Sequence, residues 1–311
     1  MNQVFRYIGY SKQAFHQKMA RKLKEQEQSL LLLPIIAEMR REHPGVAARQ
    51  LYLILKPENT GRDKFESFCF EHGFKLERPK AYRRTTDSTG VIRFPNLIAG
   101  IEFRGINQVW SSDITYYQIG EVFYYLTFII DLFSRKIVGY SVSKRLLTEQ
   151  TTIPALQMAL NERSPAPGLI LHSDGGGQYY CKAFLKLTED YKIKNSMCDM
   201  VYENSHAERL NGTIKNQYLK GYNPQSYAVL IEMTKRSVTN YNSVRPHQSL
   251  KKIPPAAFET LLPAGGSSLT NNDFCICGNS IELHQKNHHL SKRAISTIKD
   301  LKTVEKTVNV F

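Results

Sequence analysis

Three acidic residues stand where acids are uncommon. Asp113 falls in the middle of Val109-Trp110-Ser111-Ser112-Asp113-Ile114-Thr115-Tyr116, an otherwise apolar and β-branched run. Asp is depleted in strands, so its place there needs a reason. Asp174 follows the apolar stretch Leu169–His172 and precedes Gly175-Gly176-Gly177. That pattern predicts a carboxylate just past a strand end, exposed at the edge of a sheet. Glu208 falls in Ser205–Leu219, which reads as a long helix, and Lys215 lies two turns further along the same face. Two Asp and one Glu, if folded together, offer the hard oxygen ligands that Mg²⁺ or Mn²⁺ prefers. Carboxylates that close repel one another unless a cation neutralises them. Two such ions about 3.5–4 Å apart can support displacement at a phosphodiester. Read singly, the same residues also fit a sheet-edge Asp and a solvated helix Glu.

The elements that must position these groups follow from periodicity and turn signals. Gln108–Gln118 and Glu121–Leu132 are β-rich with Gly120 between them, which predicts a hairpin. Arg135–Val142 predicts a third strand and Thr148–Arg163 an amphipathic helix. Strand Gly168–His172, helix Lys182–Tyr191, strand Ile193–Met197 and helix Ser205–Leu219 complete the series. The order βββαβαβα is that of an RNase H-like core, an α/β fold with a mixed five-stranded sheet and flanking helices.

Residues 1–80 read as all-α. Ser11 can cap a helix over Gln13–Glu25. Ser29–Glu42 places Leu32, Ile35, Ile36 and Met39 on one face. Val46–Leu55 and Gly61–His72, joined by a turn at Lys56–Thr60, make a helix-turn-helix pattern. Arg62 and Lys64 stand at the basic start of its second helix as candidate DNA contacts. Residues 81–95 are basic and poor in apolar side chains, as in a linker, and 96–259 form the α/β core. The tail, 260–311, has no firm pattern.

The whole chain has 311 residues, 42 Lys and Arg against 28 Asp and Glu, and a formal charge of +14. Residues 1–95 carry 18 basic and 10 acidic side chains, net +8, more than half of the excess. A basic helical module beside a less charged core fits a polyanionic partner, nucleic acid first. No apolar run approaches the ~20 residues of a membrane span, and no signal-peptide core opens the chain. The five cysteines are odd in number and scattered, which fits reduced thiols and a cytoplasmic setting.

Four motifs together resemble a known family. They are Trp110–Tyr116, His172–Tyr179, Asn204–Lys215, and Tyr241–Leu250 continued by Ile253-Pro254-Pro255-Ala256. They resemble the catalytic and closing motifs of bacterial insertion-sequence transposases, DDE enzymes with the retroviral-integrase core. Met39–Arg78 also resembles the helix-turn-helix module that precedes that core, so the likeness covers roughly residues 29–259. The resemblance implies Asp113, Asp174 and Glu208 as catalytic metal ligands, with Mg²⁺ or Mn²⁺ bound, two ions per site. It implies 3′-end cleavage and strand transfer of an insertion sequence. The implied partners are the element's terminal inverted repeats, target DNA and further copies of the chain. An upstream helix-turn-helix protein, or a frameshift fusion with it, is implied as well, in a bacterial, nucleoid-associated setting. One departure concerns spacing: 33 residues separate Asp174 from Glu208, slightly fewer than the family pattern. The loop Cys198–Asn204 can absorb the difference. Glu203 is the competitor, but it leaves 28 residues and precedes the helix.

Other residues have narrower readings. Lys215 and Arg209 are candidate DNA-phosphate contacts. Arg245 and His247, in an Arg-Pro-His corner, fit DNA contact or packing of the closing helix. His172 reads as a buried, hydrogen-bonded group and Asp131 as a structural acid at a strand end. Cys275-x-Cys277 near His284, His288 and His289 departs from the usual zinc-knuckle spacing. Two rivals remain open: a catalytically inactive DNA-binding regulator derived from a transposase, and a simple RNase H-type nuclease. The presence of all three acids argues against the first. The basic N-terminal module argues against the second.

Overall fold

The structure is a computed structural model that describes residues 11–58, 60–76, 94–198 and 204–262. Most of the expected linker, Glu203, and the tail beyond Leu262 with Cys275 and Cys277 lie outside the described residues. The described chain divides into two compact units, with the boundary between Ala37 and Glu38.

The described part of the first unit is helical. α1 spans Lys12–Leu30, and the Ser11 side chain accepts from Ala14 N at 3.1 Å, the expected cap. α2 spans Leu32–Glu42 and crosses the unit boundary. Sequence periodicity places its start at Ser29; the structure ends α1 at Leu30 and restarts at Leu32. Pro34 accounts for the break, because it lacks the N–H that would continue the ladder to residue 30.

The second unit holds α3, Ala48–Leu55, and α4, Arg62–Glu71, together with the sheet. α3 stops where Lys56 turns left-handed. Leu51, Phe65 and Cys69 are buried between the pair, and Arg49 bridges to Glu66 at 2.8 Å.

Five strands form one sheet: β1 Val109–Ile119, β2 Val122–Asp131, β3 Ile137–Ser143, β4 Ile170–Ser173 and β5 Lys194–Met197. Their order is β3-β2-β1-β4-β5. β1–β2 and β2–β3 are antiparallel, while β1–β4 and β4–β5 are parallel. This is the RNase H-like topology that the element order predicts. α5, Thr152–Arg163, and α6, Lys182–Asp190, accompany the strands. Trp110, Ile129, Val138, Leu156, Leu160, Leu171 and Phe184 form the core cluster. Each such buried side chain contributes about 1.5–3 kcal/mol.

α7, Ser205–Thr213, continues into a π-helical turn, Ile214–Leu219, and a last α turn, Lys220–Tyr222. The sequence reads this stretch as one uninterrupted helix. The wider turn has a tertiary partner: Gly45 N donates to Gln217 O at 2.7 Å. A Cβ at Gly45 would stand 2.5 Å from Gln217 Cα, so only glycine admits this approach. α8, Tyr227–Ser243, packs beside the turn and on β3. Asn242 on α8 satisfies the outer strand, accepting from Ile137 N and donating to Ile137 O, both at 2.9 Å. α9, Pro255–Thr260, ends the described chain.

Candidate active site

Successive strand residues face opposite sides, and the two sides of β1 do different work. Trp110 joins the core cluster, and Ser112 bonds the Tyr179 hydroxyl at 2.9 Å. On the other side Ser111, Asp113, Thr115 and Tyr117 meet α7 and its continuation in turn. Ser111 Oγ donates to Asn204 Oδ1 at 2.5 Å, and Asn211 Nδ2 donates to Asp113 Oδ2 at 2.7 Å. Lys215 Nζ donates to Thr115 Oγ1 at 3.1 Å, and the Tyr117 hydroxyl donates to Leu219 O at 3.2 Å. The last three partners are spaced by four residues, about 6 Å along a helix. Their strand counterparts are spaced by two, about 6.8 Å. The near match lets helix and strand run side by side through three successive contacts.

Asn204 fixes the start of this ladder. It is 1% exposed, and its Nδ2 also donates to Ser112 O at 3.1 Å. Asp174 lies just past β4, and its Oδ1 accepts from Gly176 N at 3.1 Å. Gly175 makes that turn possible: its φ is +77°, and a Cβ there would meet Met197 Cε at 2.2 Å. Tyr179 at the end of the following single turn, through Ser112, ties the Asp174 loop to β1. Thus Ser111 and Ser112, the two residues before Asp113, connect β1 to the segments that carry Glu208 and Asp174.

The electrostatics agree with this convergence. The Asp113 carboxyl is pushed up to about 7, first by burial, then by the charge of Asp174, with Glu208 adding to it. Hydrogen bonds from Ile114 N and Asn211 oppose the shift only in part. Asp174 is raised by burial too, although its side chain reaches solvent. Glu208 is exposed in the first turn of α7. It shares a helix face with Asn211 and Lys215, at i+3 and i+7. Asp174 and Glu208 thus both act on Asp113. Among the described residues, no three His, Cys, Asp or Glu side chains close to a metal-coordinating group.

The candidate DNA contacts occupy two places. Lys215 reaches Thr115 and lies 4.7 Å from the Tyr116 ring centroid. Arg209 is exposed next to Glu208. Arg245 Nε donates to Gln217 Oε1 at 3.0 Å. Arg62 and Lys64 are exposed at the start of α4, and Arg62 pairs with Asp63 at 2.9 Å. His172 is buried, its Nδ1 3.0 Å from Ser196 Oγ. Asp131 is 0% exposed and accepts from the N–H groups of Asn107, Phe133 and Ser134. Sequence reasoning missed Asn204, Asn211, Ser111 and Ser112 as positioning groups. The alternation Ser111, Asp113, Thr115 was the available signal.

Comparison with known proteins agrees with this architecture. An integrase core domain family model matches residues 104–201, and a second integrase core domain model matches residues 190–255. The uncharacterized 31 kDa protein of insertion element IS600 from Shigella sonnei is 32% identical over 241 residues, covering 76% of this chain and 88% of that protein. Transposase InsF for insertion sequence IS3A of Escherichia coli is 33% identical over 162 residues, covering 50% of this chain and 54% of InsF. That match spans about half the length of InsF. The catalytic core domain of HTLV-2 integrase, solved in complex with magnesium, is 22% identical, with a TM-score of 0.41, covering 49% of this chain and 95% of that one. The chain belongs to the family of insertion-element transposases with an integrase core domain.

Proposed function

We propose that this protein is a DNA transposase that cuts the ends of an insertion sequence and joins them to a second DNA site. The observation that supports the reading is the buried mid-strand Asp113, bonded by Asn211 of the helix that carries Glu208 and acted on by the charges of Asp174 and Glu208. Three carboxylates without a counter-charge repel, and a divalent cation removes that repulsion. The donor set is hard oxygen throughout, suited to Mg²⁺ or Mn²⁺. A second observation fits a hydrated cation. Asn211 Oδ1 is buried beside Asp113 with no hydrogen-bond partner among the described residues, and a coordinated water could donate to it. When bound, a pair of such ions supplies Lewis acidity for in-line displacement at phosphorus.

The chain's own groups have separable roles. Asp113, Asp174 and Glu208 hold the cations. Asn211 orients Asp113, and Asn204 sets the α7 start that carries Glu208. Lys215, anchored on Thr115, meets a phosphate near the reacting one; Arg209 and Arg245 also hold DNA backbone. Water first cleaves a P–O3′ bond, leaving a 3′-hydroxyl and a 5′-phosphate; that hydroxyl then attacks a phosphodiester of the second DNA, whose own 3′-oxygen leaves and takes up a proton. Residues 1–80 serve as the DNA-binding module, with Arg62 and Lys64 of α4 among its contacts, joined by 81–95 to the core at 96–259. The protein acts on terminal inverted repeats and target DNA as an assembly of copies in the bacterial cytoplasm, and an upstream helix-turn-helix protein or fusion completes it. No described helix is long and apolar enough to cross a membrane.

The test is a cleavage and joining assay on a duplex with the end sequence of the element that encodes this chain. Products should form with Mg²⁺ or Mn²⁺ and vanish with EDTA. Activity that survives chelation would defeat the reading.

A further inference from the structure

α7 carries a second polar face next to the carboxylate face. His206 and Arg209, three residues apart, share it. Arg135, on the turn from β2 to β3, reaches across to it, its Nη1 donating to His206 Nδ1 at 2.9 Å. With Nδ1 accepting, His206 carries its hydrogen on Nε2, which remains a donor. Arg245, in the segment after α8, approaches along the same face through Gln217, eleven residues beyond His206. Its guanidinium lies 5.6 Å from the Tyr241 ring centroid, and the His247 ring is 6.4 Å from Tyr241. Arg135, Arg209 and Arg245 all act electrostatically on His247, and Arg135 and Arg209 on His206.

Three guanidiniums from three separate segments thus act on one imidazole, His247. Among the described residues no carboxylate forms an ion pair with Arg135, Arg209 or Arg245. Asp131 lies in the field of Arg135, but its oxygens accept from the backbone of Asn107, Phe133 and Ser134. Arg135 also holds a left-handed backbone, φ +62°, with its N–H on Asp131 O at 2.9 Å. Such a conformation is costlier for arginine than for glycine. The arrangement is therefore a fixed concentration of positive charge, and planar guanidiniums suit phosphate oxygens.

We propose that Arg135, Arg209 and Arg245, with His206 and His247 beside them, form a seat for one DNA backbone phosphate beside Glu208. The proposal rests on the transposase reading and deepens it: the carboxylate face of α7 takes the cation, and the adjacent face takes the strand. A phosphate held there fixes the register of the duplex against Glu208 and carries no sequence information.

Fluorescence anisotropy of a labelled duplex, titrated with salt, tests the seat on the full chain. Arg135→Gln, Arg209→Gln and Arg245→Gln should each weaken binding on the order of ten-fold. The loss should be the same for duplexes of unrelated sequence. The triple variant should lower the log–log salt slope by about one unit, the count of one phosphate. Arg135→Lys should keep the parental slope. If Arg135→Gln fails to fold, as a thermal melt would reveal, the exposed Arg209→Gln and the charge-keeping Arg135→Lys decide. Parental affinity and slope in the folded variants would overturn the seat alone. A parent protein that binds no duplex would overturn the seat and the transposase reading together.

Discussion

Asp113 and Asp131 are both acids on adjacent strands, both largely buried, and both pushed upward by burial. Asp131 ends β2 and accepts three backbone N–H groups, so its charge is matched by the turn it organises. Asp113 sits mid-strand with one backbone N–H and one amide, and two further acids act on it. Burial alone does not separate a structural acid from a functional one. The separation lies in what surrounds the carboxylate: three backbone N–H groups complete Asp131, whereas Asp113 accepts one and lies in the field of two further acids.

The largest expected effect is on chemistry. Asp113→Asn, Asp174→Asn and Glu208→Gln should each abolish strand cleavage, and paired substitutions should lose little more, because the three act as one cage. DNA binding should persist. Asp131→Asn should instead lower the unfolding midpoint, because an amide nitrogen replaces an acceptor of buried N–H groups, at a cost of about 1–3 kcal/mol. A stable, inactive Asp131→Asn protein would break the comparison.

The next effect sharpens the same contrast through pH. A carboxyl whose folded pKa lies above its unfolded value keeps a proton the unfolded chain has released. For Asp113 that window runs from about 4 to about 7, and its contribution to stability falls as pH rises through it. Asp113→Asn should therefore gain stability over the parent as pH climbs across the window, measured by thermal melts of both proteins. Added Mg²⁺ should shrink the gap, since the cation stabilises the charged parent. His43 works in the opposite sense. Burial holds it near 4 and neutral, so acidification from about 6.5 to about 4 should destabilise the chain, and His43→Gln should flatten that slope.

Much of this was legible in the sequence, for physical reasons. The succession of strands and helices follows from hydrophobic alternation and turn residues, and the Ser11 cap from local chemistry. Asp113 and Asp174 stood out because strands and strand ends rarely hold acids without cause, while Glu208 was singled out by the family resemblance. The π turn at Ile214–Leu219 was not legible, because its partner, Gly45, lies about 170 residues away in sequence. Nor was the bond from Asn211 to Asp113, which exists only once helix and strand lie side by side. His206 and Arg135 read as unrelated polar residues until the β2–β3 turn brings them within 2.9 Å.

Smaller effects test the positioning groups. Asn211→Ala frees Asp113 Oδ2 and should cut metal affinity or activity about 10- to 100-fold, as loss of a supporting hydrogen bond does elsewhere. Binding of Mn²⁺ by calorimetry reads this apart from turnover. Lys215→Ala should lower the salt slope of duplex binding by about one unit while leaving metal binding in place. An unchanged slope would return Lys215 to a brace between Thr115 and the Tyr116 ring.

The central claim is that Asp113, Asp174 and Glu208 together hold divalent cations that drive strand joining. The direct measurement is Mn²⁺ binding by calorimetry on the parent and on Glu208→Gln, paired with strand joining on the element's end duplex. The account predicts saturable Mn²⁺ binding and joining in the parent, with both lost or sharply weakened in Glu208→Gln at an unchanged unfolding midpoint. Parental binding and joining in Glu208→Gln would contradict it.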